Sequence, residues 1–168
     1  RRGLLTVIES LKIIQKTIPN IKLLIIGKSS FDHVIKDIVK QNQIEKLVDF
    51  IGWIKESDIP NYLSISKLGL SPLHRNIHHD TTYANKVFQY ISIGCPIVSS
   101  NVIAQSELVE KYEIGVIFED NNVYDLSDKI IELHNDKNLY SRLRQNCLDS
   151  IEKLNNSVIS NQLISIYE

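Results

Sequence analysis

Hydrophobic positions along this chain follow two alternating rhythms. Leu4, Leu5, Ile8, Leu11 and Ile14 recur at helical spacing, with Glu9 and Lys12 on the other face, until Thr17-Ile18-Pro19-Asn20 ends the pattern. Lys22-Leu23-Leu24-Ile25-Ile26-Gly27 follows, a continuous apolar run closed by glycine, which suits a strand covered on both faces as in a parallel sheet. The same reading predicts a helix over Phe31–Gln41 with Ser30 as its N-cap, a strand over Leu47–Gly52, a short helix over Glu56–Ile65 and a third strand over Lys67–Pro72. Leu73–Ala84 is polar and reads as irregular. Beyond it come a helix over Asn85–Ile93 that stops at Gly94, a strand over Pro96–Ser100, a short helix over Ser106–Tyr112 and a fifth strand over Gly115–Glu119. Three helical stretches close the chain, over Val123–His134, Lys137–Ile151 and about Val158–Tyr167.

Strands alternating with helices at this spacing predict an α/β fold, an open and mostly parallel sheet with helices on both faces. No repeat, low-complexity tract or linker interrupts the 168 residues, so one domain is expected. Composition narrows the function classes. Hydrophobic residues make up 43% and charged residues 23%, a globular balance that excludes a wholly disordered chain. The net charge of −1 gives the domain no overall attraction to nucleic acid or anionic lipid. No apolar run approaches the ~20 residues of a membrane-spanning helix, and none has the pattern of a signal peptide. Two cysteines, Cys95 and Cys147, are too few for a disulfide scaffold and read as reduced thiols. The chain has no methionine and opens on Arg1-Arg2-Gly3, which reads as the interior of a longer protein.

In such sheets ligands bind beyond the carboxyl ends of the strands, where the strand order reverses. Gly27-Lys28-Ser29-Ser30, Gly52-Trp53-Ile54, Pro72–Thr82 and Ser99–Ala104 are expected there. Gly27 and Lys28 lead into a helix whose N–H groups are able to face an anion, although a glycine that merely ends a strand fits as well. Thr81 and Thr82 stand just before the helix that begins near Asn85, and Lys86 lies in its first turn. Hydroxyls, an ammonium and the partial positive charge of a helix start together make a cradle for phosphate oxygens. Ordinary capping by Thr81 or Thr82 is the competing reading. Trp53 either walls a pocket or belongs to the core. His74, His78, His79 and Asp80 have ligand chemistry for zinc or iron, but their spacing matches no metal motif, so no metal site is expected. No Ser-His-Asp order, paired-cysteine motif or Walker loop is present.

Asn85-Lys86-Val87-Phe88-Gln89-Tyr90-Ile91-Ser92-Ile93-Gly94-Cys95-Pro96-Ile97-Val98-Ser99-Ser100 resembles the P-N-K-hydrophobic-F-E-Y-M-A-x-G-K-P-V-V-A-S segment of GT-B-fold, family 4 type glycosyltransferases, the glycosyl transferases group 1. The likeness runs nearly the whole length. Arg2-Gly3-Leu4 with the Ile8-Glu9 helix is similar to the family's K-G-L-x-x-L-I-E-A segment, and Pro19–Gly27 to its P-x-x-x-L-x-I-x-G strand. Val48–Trp53 and Gly115–Glu119 resemble its V-x-F-x-G-x and late G-x-x-F-x strands. The resemblance implies a Rossmann-like, doubly wound domain forming one half of a GT-B fold. Residues 1–168 would be the carboxyl-terminal, nucleotide-sugar-binding half of a two-domain enzyme whose amino-terminal half binds the acceptor. It also implies that the first, central strand of the sheet is missing. The strands at 22–27 and 67–71 would then lack their shared neighbour, leaving an isolated chain marginal.

The activity implied is transfer of a sugar from a nucleotide diphosphate to an acceptor hydroxyl, with retention at the anomeric carbon, in bacterial surface polysaccharide or glycolipid synthesis. No catalytic set is complete in this chain. Spacing and resemblance together give as donor-binding Arg2, Gly27, Lys28, Trp53, Ile54, His74, Thr81, Thr82, Asn85, Lys86 and Gln89. Arg2, Lys86 and helix N–H groups would carry the leaving diphosphate charge. Thr81 and Gln89 stand where the family has the two glutamates of its E-x7-E motif. Glutamine keeps hydrogen bonding without charge, and threonine offers only a hydroxyl. Those two replacements favour an alternative, a nucleotide-sugar-binding domain without transfer activity; a nucleotide-sugar epimerase relative is a third reading. No cofactor or metal is expected, and the partners implied are the donor, the amino-terminal half and an acceptor glycan or glycolipid, with no nucleic acid. The implied location is cytoplasmic, with membrane contact through the absent half.

Overall fold

The computed structural model describes residues 3–154. Arg2 and the helix expected near Val158–Tyr167 lie outside the described residues. Helix α1 (Leu4–Ile14) leads to strand β1 (Leu23–Ile26), helix α2 (Asp32–Gln41) and strand β2 (Val48–Gly52). Helix α3 (Ile59–Ile65) and strand β3 (Gly69–Ser71) follow, then the short α4 (Ile77–Thr81), α5 (Asn85–Ser92) and β4 (Ile97–Ser100). Helix α6 (Ile103–Tyr112), β5 (Gly115–Phe118), α7 (Val123–Asn135) and α8 (Lys137–Leu154) complete the order. All five expected strands form, because runs buried on both faces leave an unbroken apolar signature in sequence.

Every strand pairing is parallel, but the strands make two sheets, β1-β2 and β3-β4-β5. Strand β1 pairs on one side only, and so does β3. The break falls between the two strands that the sequence left without a shared neighbour. Side chains bridge it. Val7, Ile8, Leu11 and Ile14 of α1 share one core with Leu23 and Val48 of the first sheet, Val98 and Phe118 of the second, and Leu126, Ile130 and Leu133 of α7. Ser10 and Ser127 are fully buried where α1 meets α7, and the Ser127 hydroxyl donates to the Ser10 carbonyl at 3.5 Å. On the other face of the second sheet, Ile97 packs with Val87 and Ile91 of α5, Leu108 and Val109 of α6, Ile114, and Cys147 of α8. Val98 and Ile97 thus point to opposite cores, as the pleat requires.

Three local expectations change. Ser30 does not cap α2; Ser29 and Asp32 close that turn instead, with Phe31 N–H donating to Ser29 Oγ and Ser29 N–H to Asp32 Oδ1. The stretch taken as irregular contains α4, capped by Asn76, whose Oδ1 accepts from His79 N–H at 2.9 Å. Helix α6 starts at Ile103 rather than Ser106, because Asp80 of α4 accepts from the Ile103 N–H at 3.1 Å.

Close approach of backbones requires glycine in β5. A Cβ on Gly115 would lie 2.0 Å from the Ile97 carbonyl oxygen. Gly115→Ala is therefore expected to destabilise the fold by about 3 kcal/mol or more, read as a lower urea midpoint.

The thiols and Tyr90 behind β3 and β4 give a second test. Burial pushes Cys95 up to about 11, opposed by Arg144, and Cys147 up to about 12, with Cys95 adding to the rise. Burial also pushes Tyr90 up to about 12, with Cys95 adding and a bond to the Leu70 carbonyl opposing. The unfolded chain loses these protons near the ordinary values of 9.0 and 10.0. The fold keeps them longer, so stability is full below about pH 8 and falls as pH rises from there. Chemical denaturation between about pH 8 and pH 10.5 is expected to show a decline of up to about 1.4 kcal/mol per pH unit for each retained proton. The double variant Cys95→Ala, Cys147→Ala is expected to flatten most of it.

Candidate functional site

The carboxyl ends of all the strands bear loops rich in polar groups, and the break in the sheet divides them into two sets. At the ends of β1 and β2, Gly27 and Gly52 both have positive φ, 115° and 78°, so each strand turns sharply as it ends. Gly27 N–H donates to the Gly52 carbonyl at 2.7 Å, which holds the two turns together. The stem of Lys28 lies over Gly52, its Cε 3.7 Å from where a Cβ would stand. Trp53 is 69% exposed and Ile54 half-buried. Of the two readings of Trp53, the core placement fails, because the indole stands in the open.

At the ends of β3, β4 and β5 the polar groups are knitted more tightly. Ser71, Ser99 and Ser100 are fully buried. Ser100 Oγ donates to the Leu73 carbonyl at 2.5 Å, and Ser71 Oγ to Gln105 Oε1. Gln105 Nε2 is buried without a partner among the described residues. Above this floor, Asp120 reaches from the end of β5 to the loop after β3. Its carboxylate accepts from His74 Nδ1 at 2.8 Å and from the Arg75 N–H at 2.9 Å. Asp80 pairs with Arg75 at 3.4 Å while capping α6. His79 Nδ1 lies 2.7 Å from the His74 carbonyl and Asn76 Nδ2 3.1 Å from it, so the loop is fixed on both sides of His74.

Thr81 and Thr82 do not cap α5. Their hydroxyls turn back onto α4, Thr81 to the Ile77 carbonyl and Thr82 to the His78 carbonyl, each at 2.7 Å. The physical reason is α4 itself, whose last carbonyls need donors and lie nearer than the next helix start. The N-cap of α5 is Ala84, which has no side-chain oxygen to offer the first turn. Asn85 and Lys86 therefore open a helix whose N-cap residue makes no side-chain hydrogen bond to its first turn, and Gln89 follows one turn later on the face of Asn85 and Lys86. Val87 and Ile91 anchor the opposite face in the core.

His74, Thr81, Thr82, Asn85, Lys86 and Gln89 thus belong to one loop-and-helix unit, and Gly27, Lys28, Trp53 and Ile54 to another. Of the histidines that suggested metal ligands, His74 bonds Asp120 and His79 the His74 carbonyl, and the described residues bring no three His, Cys, Asp or Glu side chains into a cluster able to hold a metal ion. No described helix is long and apolar enough to cross a membrane. Arg75, Asn76 and Asn101 fall within the segments expected at the strand ends but were given no role, and Asp120 lay outside those segments. The sequence signal for Asp120 is an acidic residue just past a strand, in Glu119-Asp120-Asn121.

The pattern of known proteins that share this arrangement is consistent. The profile of the family "Glycosyl transferases group 1" matches residues 1–148. The capsular polysaccharide biosynthesis glycosyltransferase CapM of Staphylococcus aureus is 25% identical over 171 residues, covering 99% of this chain and 42% of that protein. The crystal structure of Anabaena HepE in complex with UDP superposes with a TM-score of 0.82 at 18% identity, over 99% of this chain and 44% of that one. The C-terminal domain of the glycosyl transferase group 1 family protein LpcC from Francisella tularensis superposes with a TM-score of 0.75 at 18% identity, over 91% of this chain and 79% of that domain. The chain spans 42% of the length of the curated relative it matches, and its fold is that of the carboxyl-terminal half of a GT-B enzyme. A profile match over residues 1–148 and five parallel strands with the site at their carboxyl ends lead to one family: this chain belongs to the glycosyl transferases group 1.

Proposed function

We propose that the chain is the donor-binding half of a retaining glycosyltransferase, holding a nucleotide-diphospho-sugar while an acceptor hydroxyl is glycosylated. The observation that carries this reading is the start of α5, a helix N-terminus whose N-cap residue Ala84 has no side-chain oxygen, with Lys86 in its first turn and family membership behind it. As the bond from sugar to diphosphate breaks, negative charge grows on the leaving oxygen. Leading N–H groups of α5, the Lys86 ammonium and Arg2 are the groups in this chain suited to receive it. Asn85, Thr81, Thr82 and Gln89 supply neutral hydrogen bonds around them. Gln89 is suited to ribose hydroxyls, where an amide both donates and accepts. Gly27 and Lys28 approach the donor from the other sheet, and Trp53 with Ile54 offers an apolar wall for the base.

Support for the donor class comes from relatives whose solved structures hold UDP and UDP-glucose. Support for a surface glycan as product comes from names alone, CapM in capsular polysaccharide biosynthesis and WaaG in lipopolysaccharide biosynthesis. We place the amino-terminal half, and a strand filling the slot between β1 and β3, among the parts of the enzyme that this chain works with. The replacements at Thr81 and Gln89 favour one competing reading, a domain that binds nucleotide sugars without transferring them.

Calorimetric titration with UDP, GDP and their glucose and mannose conjugates tests the donor reading. One nucleotide is expected to bind saturably, and Lys86→Ala to weaken it at least about tenfold, the scale of a hydrogen bond to a charged group. A folded chain that binds none of them, or binds equally well after Lys86→Ala, would overturn it. Sole tryptophan Trp53 offers a parallel signal: its quenching by acrylamide is expected to fall when the nucleotide is bound.

A further inference from the structure

We propose that Asp120 is a positioning residue for the donor sugar: it fixes the proton and the setting of His74, so that this histidine presents Nε2 as an acceptor to a sugar hydroxyl. The proposal rests on the donor-site reading above and adds to it Asp120, a residue outside the set expected to bind the donor. Three strand ends converge on this aspartate. Its carboxylate takes donors from two consecutive residues after β3, His74 Nδ1 at 2.8 Å and the Arg75 N–H at 2.9 Å. Its own N–H donates to Asn101 Oδ1, just past β4, at 3.0 Å. The Asp120 side chain is only 15% exposed, so these bonds are sheltered from water.

An ionised carboxylate only accepts, which obliges Nδ1 of His74 to carry the proton. In the neutral ring Nε2 is then a bare lone pair. The backbone is fixed as well, since the His74 carbonyl takes bonds from His79 and Asn76. Nε2 has no partner among the described residues, and the side chain is 30% exposed. A lone-pair acceptor cannot bond a phosphate oxygen, which has no proton to give. It bonds a hydroxyl, and a nucleotide-diphospho-sugar carries hydroxyls on the sugar and on the ribose. Lys86 and the start of α5 are the groups here suited to the diphosphate, so His74 falls to the sugar.

Long-range proton–nitrogen NMR of the histidine rings in the full chain, with His74 assigned by His74→Gln, reads the tautomer directly. The His74 ring is expected in the Nδ1–H form. Asp120→Asn is expected to shift it toward Nε2–H, because His74 and Arg75 meet different oxygens of the carboxylate: the backbone N–H of Arg75 keeps the amide oxygen, and the amide NH2 then faces Nδ1, which must accept. The same proteins are titrated with UDP-glucose against UDP, and GDP-mannose against GDP. Asp120→Asn and His74→Gln are each expected to cost about tenfold in affinity for the sugar nucleotide and less than about twofold for the nucleotide alone, with no further loss when combined. An unchanged tautomer in Asp120→Asn overturns the proposal, as does a changed tautomer with unchanged sugar-nucleotide affinity. Equal losses for UDP and UDP-glucose place His74 on the ribose and overturn the sugar contact. If the wild-type chain binds no nucleotide sugar, the donor reading fails and the sugar contact with it, while the ring spectra still report on the pair. Should Asp120→Asn not fold, His74→Gln decides, since it leaves the Asp120–Arg75 bond in place.

Discussion

Helix α1 bearing on α7 is the interaction on which the rest of the molecule depends. Among the described residues no strand pairing joins the two sheets, so backbone hydrogen bonds between these strands do not hold β1 and β2 in place beside β3. Burial does. One apolar face of α1 covers Leu23 on one side of the break and shares a core with Val98 and Phe118 on the other. The approach of α1 to α7 is close because Ser10 and Ser127 are small and satisfy their hydroxyls on carbonyls within the interface. Gly3 fixes where α1 begins: its φ of 62° and its contact with the Pro72 carbonyl leave no room for a side chain. A non-directional force therefore sets a geometry that hydrogen bonds set in most parallel sheets.

That arrangement decides how the proposed donor site is held. Lys28 and Trp53 ride on the first sheet, while His74 and the start of α5 ride on the second. Within the second set, hydrogen bonds from Asp120, Asp80 and Asn76 leave the loop between β3 and α5 little freedom. Within the first, the glycine turns and one backbone bond between Gly27 and Gly52 do the same on a smaller scale. Between the sets, precision comes from the packing of α1. The site is thus two rigid pieces joined by a core, and its width follows from how that core is filled.

Legibility in the sequence followed the range of the forces involved. Strand positions were readable from short β-branched and aliphatic runs bounded by glycine or proline, as in Leu23–Ile26 before Gly27 and Ile97–Val98 after Pro96. The interruption of the sheet was readable through the family resemblance, since strand order is a family property that hydrophobic spacing does not carry. Helix α4 was not readable: Ile77–Thr81 has one apolar residue among polar ones, and its stability comes from Asn76 and from Asp80 reaching α6. The same long-range bond moved the start of α6 to Ile103. Thr81 and Thr82 were found as polar groups before a helix, but their partners depended on α4. Asp120 escaped notice because its meaning lies in His74, 46 residues away.

The unpaired inner edges of β1 and β3 also govern how this domain meets other chains. Natural sheets guard such edges with lysine, proline or a bulge. β1 has a register shift between Ile25 and Ile26, yet Leu23–Ile26 carries no charge at all. Where the strand proposed to fill the slot between β1 and β3 is lacking, an extended apolar segment from a neighbouring molecule would find main-chain donors and acceptors along both edges. Self-association by that route is a matter of backbone rather than surface charge. It follows that added salt does little to reverse it, and that crowding, by raising the supply of stray strands, promotes it.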